Sequence, residues 1–106
     1  MAESPAQLAL PAAHLARPKL VVFFSARSGR CRRIDSFLAQ VLQRRHNHET
    51  FDLIRVCVDE DKDTAARFNI DQVPTILVIE NRRVQTRITN PPGIPEIEQP
   101  LAPWLR

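Results

Sequence analysis

The chain has 106 residues, 43% hydrophobic and 25% charged, with 15 Lys+Arg against 12 Asp+Glu and a net charge of +3. That length suits one domain with its own core and is too short for two, and the composition excludes wholesale disorder and fibrous structure. No apolar run approaches the ~18 residues of a membrane span, and Cys31 and Cys57 are too few for a disulfide scaffold. No basic start followed by an apolar core opens the chain, so no secretory leader is expected. A cytoplasmic, reducing environment is the default expectation.

Residues 1–18 are rich in Ala and Pro, with breakers at Pro5, Pro11 and Pro18. They read as an arm with one short helix near Pro11–Ala16, ahead of a domain over 19–106. Lys19–Ser25 (KLVVFFS) is a continuous apolar run, rich in β-branched and aromatic residues. Its lack of alternation predicts a strand buried on both faces. Ser28 follows as an N-cap whose hydroxyl can accept from the backbone N–H of Arg30 or Cys31. Ile34, Phe37, Leu38, Val41 and Leu42 then recur at the spacing of an amphipathic helix, which His46-Asn47-His48 ends.

Phe51–Val58 (FDLIRVCV) predicts a second strand, and Thr64–Asn69 a short helix packing Ala65 and Phe68. Asp71-Gln72-Val73-Pro74 is a turn. Thr75–Ile79 and Val84–Ile88 are two further strands. Asn81-Arg82 has the length of a two-residue hairpin turn, although Arg is an unusual choice there. Ile97, Leu101, Trp104 and Leu105 keep helical spacing through a Pro-rich end, which suggests a short, interrupted helix covering the sheet. The order predicts an α/β fold with a central mixed sheet flanked by helices.

Charge is distributed unevenly. Arg27, Arg30, Arg32, Arg33, Arg44 and Arg45 face one acid, Asp35, so that segment carries +5. The run Asp59-Glu60-Asp61-Lys62-Asp63 carries −3. A solvated helix face accounts for Arg44 and Arg45. The arginines around Cys31 are less easily explained, because positive charge in a helix's first turn opposes its dipole.

The element order, with Ser28-Gly29-Arg30-Cys31 opening the first long helix, resembles the thioredoxin family. KLVVFFSARSGRCRRIDSFLAQVL resembles that family's strand, active-site turn and following helix. VDEDKDTAARFNIDQVPTILVIENRRV resembles its cis-proline loop and final hairpin, with like residues at Val58-Asp59, Ala66, Phe68, Ile70 and Val73-Pro74-Thr75. The resemblance covers residues 19–89 and implies a thioredoxin-like fold, with a shortened N-terminal unit and an atypical Pro-rich C-terminus.

It also implies a site whose chemistry has been edited. The family uses two thiols at Cys-x-x-Cys spacing, and here Ser28 stands at the first position, leaving Cys31 at the resolving one. Val22 stands for the family's buried Asp, Arg27 for the Trp before the site, Arg30 for the Pro within the turn and Thr89 for a Gly beside it. The resemblance further implies that the Val73–Pro74 bond is cis and aims the Val73 backbone at an extended substrate.

Two readings of Cys31 stand side by side: an inert core thiol, or a single reactive thiol activated by the helix start and its arginines. Arg55 and Cys57 share one strand face. By the resemblance that face packs under the helix of Cys31, so a Cys31–Cys57 disulfide and a plain strand thiol are both open.

The leading expectation is an atypical single-cysteine protein of the thiol–disulfide redox family, acting as a binding or adaptor module or a weak one-thiol redox protein, and not as a general dithiol reductase. Its surface comprises Arg27, Ser28, Gly29, Arg30, Cys31, Val73, Pro74 and Thr89. Its partner is a protein or peptide with an accessible thiol or acidic segment. The alternative is an exchange enzyme using Cys31 with a low-molecular-weight, glutathione-like thiol. Anion or nucleic-acid binding through the Arg cluster ranks last: six arginines would supply phosphate contacts, but no aromatics interleave them. No cofactor, metal or membrane partner is expected, and His14, His46 and His48 lack a matched acid or thiol cluster.

Overall fold

The computed structural model describes residues 17–43, 47 and 49–105. The short helix expected at Pro11–Ala16 lies outside these residues, as do His14, Arg44, Arg45, His46 and His48. The described elements are β1 (Lys19–Phe24), α1 (Gly29–Gln43), β2 (Asp52–Cys57), α2 (Lys62–Arg67), β3 (Thr75–Glu80), β4 (Arg83–Thr89) and α3 (Ile94–Leu101). The four strands form one sheet in the order β2-β1-β3-β4. β1 runs parallel to β2 and antiparallel to β3, and β4 runs antiparallel to β3. This is a mixed sheet in a thioredoxin-like α/β arrangement.

The central place of β1 follows from its sequence. Leu20, Val21, Val22 and Phe23 are all buried, because alternate residues enter two separate cores. Leu20 and Val22 join Ile76, Val78 and Ile88 on the face covered by α1 and α3. Val21 and Phe23 join Leu77 and Ile79 on the other face, under Phe68, Ile70 and Val73. The Phe23 and Phe68 rings lie 5.8 Å apart at 56°, a tilted aromatic pair.

The helix α1 buries Cys31, Ile34, Leu38, Val41 and Leu42, a stripe at the predicted spacing. As the crossover between two parallel strands, it must lie on the sheet. Asp61 caps α2: its carboxylate accepts from the Thr64 backbone N–H at 3.1 Å and from the Thr64 hydroxyl at 2.7 Å. Asn69, with φ 55°, takes the left-handed position after that helix, and Ile70 N–H closes onto the Ala65 carbonyl at 2.9 Å.

Asn81 and Arg82 form the β3–β4 turn with φ 56° and 67°, the sign pattern of a type I′ hairpin. Arg82 therefore occupies a position that glycine would take more freely. The helix α3 tolerates Pro95 in its first turn, and Pro100 near its end removes only one late N–H. Ile97 and Leu101 are fully buried against the first core, and Trp104 Nε1 donates to Glu80 Oε1 at 3.2 Å. Burying each aliphatic side chain contributes about 1.5–3 kcal/mol, which holds so short a helix in place.

Candidate functional site

Strand register gathers the sequence-predicted residues at one end of the sheet. Phe24 pairs with Cys57 across β1–β2, Phe23 pairs with Thr75 across β1–β3, and Thr75 pairs with Thr89 across β3–β4. Residues 25–31 leave β1 at that end, and Val73-Pro74 enters β3 there. The turn and the proline loop, more than forty residues apart in sequence, thus meet because β1 and β3 are antiparallel neighbours.

Ser25 organises the turn. Its backbone N–H donates to Cys31 Sγ at 3.4 Å, and its hydroxyl donates to Asp59 Oδ2 at 2.7 Å. The same hydroxyl oxygen accepts from Arg27 N–H at 3.2 Å, and the Ser25 carbonyl accepts from Ser28 N–H at 3.2 Å. The chain then enters α1 at Gly29.

Cys31 is only 5% exposed and faces the core, whereas Arg27, Gly29 and Arg30 are exposed and Ser28 is half-buried. Ser28 holds the position before the helix, but the expected cap bond is not made. Among the described residues its hydroxyl has no hydrogen bond; the Ser25 hydroxyl and carbonyl bind the Arg27 and Ser28 N–H groups, not the Arg30 and Cys31 N–H groups that a Ser28 cap would take. Gly29 has no neighbour within 4 Å of a built Cβ, so the helix start stays open to close approach.

Cys31 and Cys57 are both free thiols, the first buried and the second half-buried. Cys57 Sγ lies 4.0 Å from the Asp59 oxygen that Ser25 also binds. Arg55 shares the strand face of Cys57 and reaches Asp35 on α1 at 2.8 Å, while its guanidinium lies 4.7 Å from the Phe24 ring centre. The acid of α1 is thereby engaged. Arg30, Arg32 and Arg33 have no acidic partner among the described residues.

The Val73–Pro74 peptide bond is cis. Val73 is half-buried, and among the described residues its N–H and carbonyl make no backbone hydrogen bond. Pro74 is buried, and its carbonyl accepts from Asn90 N–H at 2.7 Å. Thr75 Oγ1 donates to the Gln72 carbonyl at 2.6 Å, which braces the loop. Thr89 is exposed at the end of β4, and the backbone contact with the proline loop is made by the next residue, Asn90. Asn90 has φ 49°, a conformation asparagine tolerates and glycine adopts freely.

Sequence reasoning missed Ser25, Asp59 and Asn90 as site residues. A lone polar residue ending the apolar KLVVFF run was the available signal for Ser25. Among the described residues, no three of His, Cys, Asp and Glu come together as a metal would require.

A family model described as Thioredoxin matches residues 11–101. No curated protein is a match to the sequence. Among solved structures, the reduced thioredoxin pre-protein of Schistosoma mansoni is similar with TM-score 0.74 and 22% identity, over 88% of this chain and 84% of that one. Fasciola hepatica thioredoxin is similar with TM-score 0.72 and 19% identity, over 84% and 82%. Trxlp of Edwardsiella tarda is similar with TM-score 0.75 and 17% identity, over 98% and 96%.

Proposed function

The chain belongs to the thioredoxin family, and on that footing we propose that it is a protein-binding module with an atypical single-cysteine site, and not a general dithiol reductase. The burial of Cys31, 5% exposed beneath a turn that has serine at the other motif position, carries this reading. Exchange requires an attacking sulfur that can reach its target, and release of a mixed disulfide requires a second sulfur at hand. A serine hydroxyl supplies neither.

The binding surface remains. Arg27, Gly29 and Arg30 are exposed on one rim, Thr89 is exposed on the other, and the Val73 backbone offers an N–H and a carbonyl to an extended segment. A peptide laid there would add to the backbone as a strand adds to a sheet edge. The exposed arginines favour a partner with an acidic segment. Two free thiols suit a reducing compartment, and we place the protein in the cytoplasm. No helix among the described residues is long and apolar enough to cross a membrane.

One observation favours the second reading, a one-thiol exchange protein using a glutathione-like thiol: the Ser25 N–H is already aimed at Cys31 Sγ. Iodoacetamide labelling with site-resolved mass spectrometry separates the two. The binding-module reading expects Cys57 to be modified first and Cys31 only after denaturation. Rapid labelling of Cys31 in the folded protein would replace it with the exchange reading. Dithiothreitol-driven insulin reduction that disappears in Cys31→Ser would overturn the exclusion of reductase activity.

A further inference from the structure

Beside the candidate site, α1 and the loop after β4 flank an open-sided cavity of about 250 Å³, lined by Arg30, Arg33, Phe37, Asn90, Pro91 and Pro92. Arg30 and Arg33 are three residues apart on α1, so their side chains leave one face as neighbours. Both are exposed, and neither has an acidic partner among the described residues. Asp35, the acid of α1, is held by Arg55 on β2. Two adjacent like charges weaken a helix. Folding therefore supplies no account of this pair.

The rest of the lining is apolar or anchored. Phe37 is half-buried and packs on the main core, and Pro91 is buried. Asn90 is tied to the Pro74 carbonyl at 2.7 Å, so one wall of the cavity is fixed to the loop that carries Val73. The volume falls below the roughly 300–1,000 Å³ usual for small-molecule sites, and it suits a side chain.

We propose that this cavity is the subsite for a glutamate side chain of the extended partner segment. Arginine forks match a carboxylate in shape and charge, while Phe37 and Pro91 accept the methylenes that precede it. Nucleic acid fits less well. Asp59 is bound to Ser25 at the base of the turn that carries Arg27, and a polyanion running on along that turn would meet it. Phe37 is the one aromatic ring among the lining residues and is packed against the core, so successive bases would find no row of rings to stack on.

The inference rests on the binding-module reading, and its test separates the two. Short extended peptides differing only in Glu or Gln at alternate positions are titrated into ¹⁵N-labelled protein. At low salt the Glu peptide binds about tenfold more tightly than the Gln peptide, and shifts the Arg33 and Asn90 amides. In Arg33→Gln, checked for an unchanged urea midpoint, that advantage falls below about threefold, and Arg30→Gln gives the same result. Equal affinity of the two peptides, with Val73 still shifted, overturns the glutamate subsite alone. An advantage that persists in both variants also overturns it. Displacement of the Glu peptide by an equimolar single-stranded oligonucleotide assigns the cavity to phosphate and overturns it. Failure of both peptides to bind overturns the binding-module reading together with the subsite.

Discussion

Replacing Ser28 by cysteine puts a second sulfur back three positions before Cys31, and the structure sets the energetic cost. An N-cap hydroxyl is commonly worth about 1 kcal/mol through the N–H it satisfies. The Ser28 hydroxyl makes no such bond among the described residues. Reduced Ser28→Cys should therefore unfold within about 0.5 kcal/mol of the parent, the range of a change that breaks no named interaction. Oxidation then closes a four-residue loop. The chain-entropy expression assigns so short a loop about 2 kcal/mol of stabilisation.

Against this, Cys31 must draw its sulfur away from the Ser25 N–H at 3.4 Å, which offsets up to about 1 kcal/mol. The oxidised variant should thus exceed the reduced one by about 1–2 kcal/mol. Urea denaturation of both forms measures this, with free thiols counted by mass after alkylation. A reduced variant weakened by more than about 1 kcal/mol would show that the hydroxyl does cap α1. An oxidised sample that keeps both thiols free would show that Cys31 cannot reach position 28.

Leu101→Ala removes a fully buried side chain of α3 and should cost about 2–5 kcal/mol in urea denaturation; a loss under about 1 kcal/mol would mean that α3 does not dock as described. The Thr64 hydroxyl and backbone N–H beside Asp61 hold its carboxyl below the ordinary aspartate value. Its folded-state pKa is depressed, so the stability it adds is present above the unfolded value and fades as pH falls through the folded one. An NMR titration of Asp61 at or above the ordinary value would contradict this, and Asp61→Asn should flatten the acid side of the stability profile. Arg55→Ala breaks a pair that is 49% and 48% exposed and should cost less than about 1 kcal/mol; a larger loss would assign real weight to its contact with Phe24.

Much of the fold was legible because its signals are local. The unbroken KLVVFF run could only be satisfied between two layers, and β1 is central with cores on both sides. The Ile34–Leu42 spacing marks the buried face of α1, and the same logic placed Ile97 and Leu101 despite the prolines. The site was legible only where it touches a motif. Cys31 lies on the helix's buried stripe, which its spacing before Ile34 already indicates. The roles of Ser25 and Asp59 depend on pairing Phe24 with Cys57, a register that no short window contains. Asn90 depends likewise on how β4 ends beside the proline loop. Residue preferences favoured Ser28 as the cap, whereas the serine that binds the turn is Ser25, through the Arg27 and Ser28 N–H groups.

Ser25 has one more consequence. Through a single hydroxyl it accepts from the Arg27 N–H and donates to Asp59, so the start of the basic rim and the tip of the acidic rim are tethered to one oxygen. The turn therefore presents a visitor with a short, directional charge gradient instead of a uniformly positive patch. A segment with acids at one end and bases at the other would be read in a single orientation. Ser25→Ala would loosen that polarity without altering the net charge of the protein.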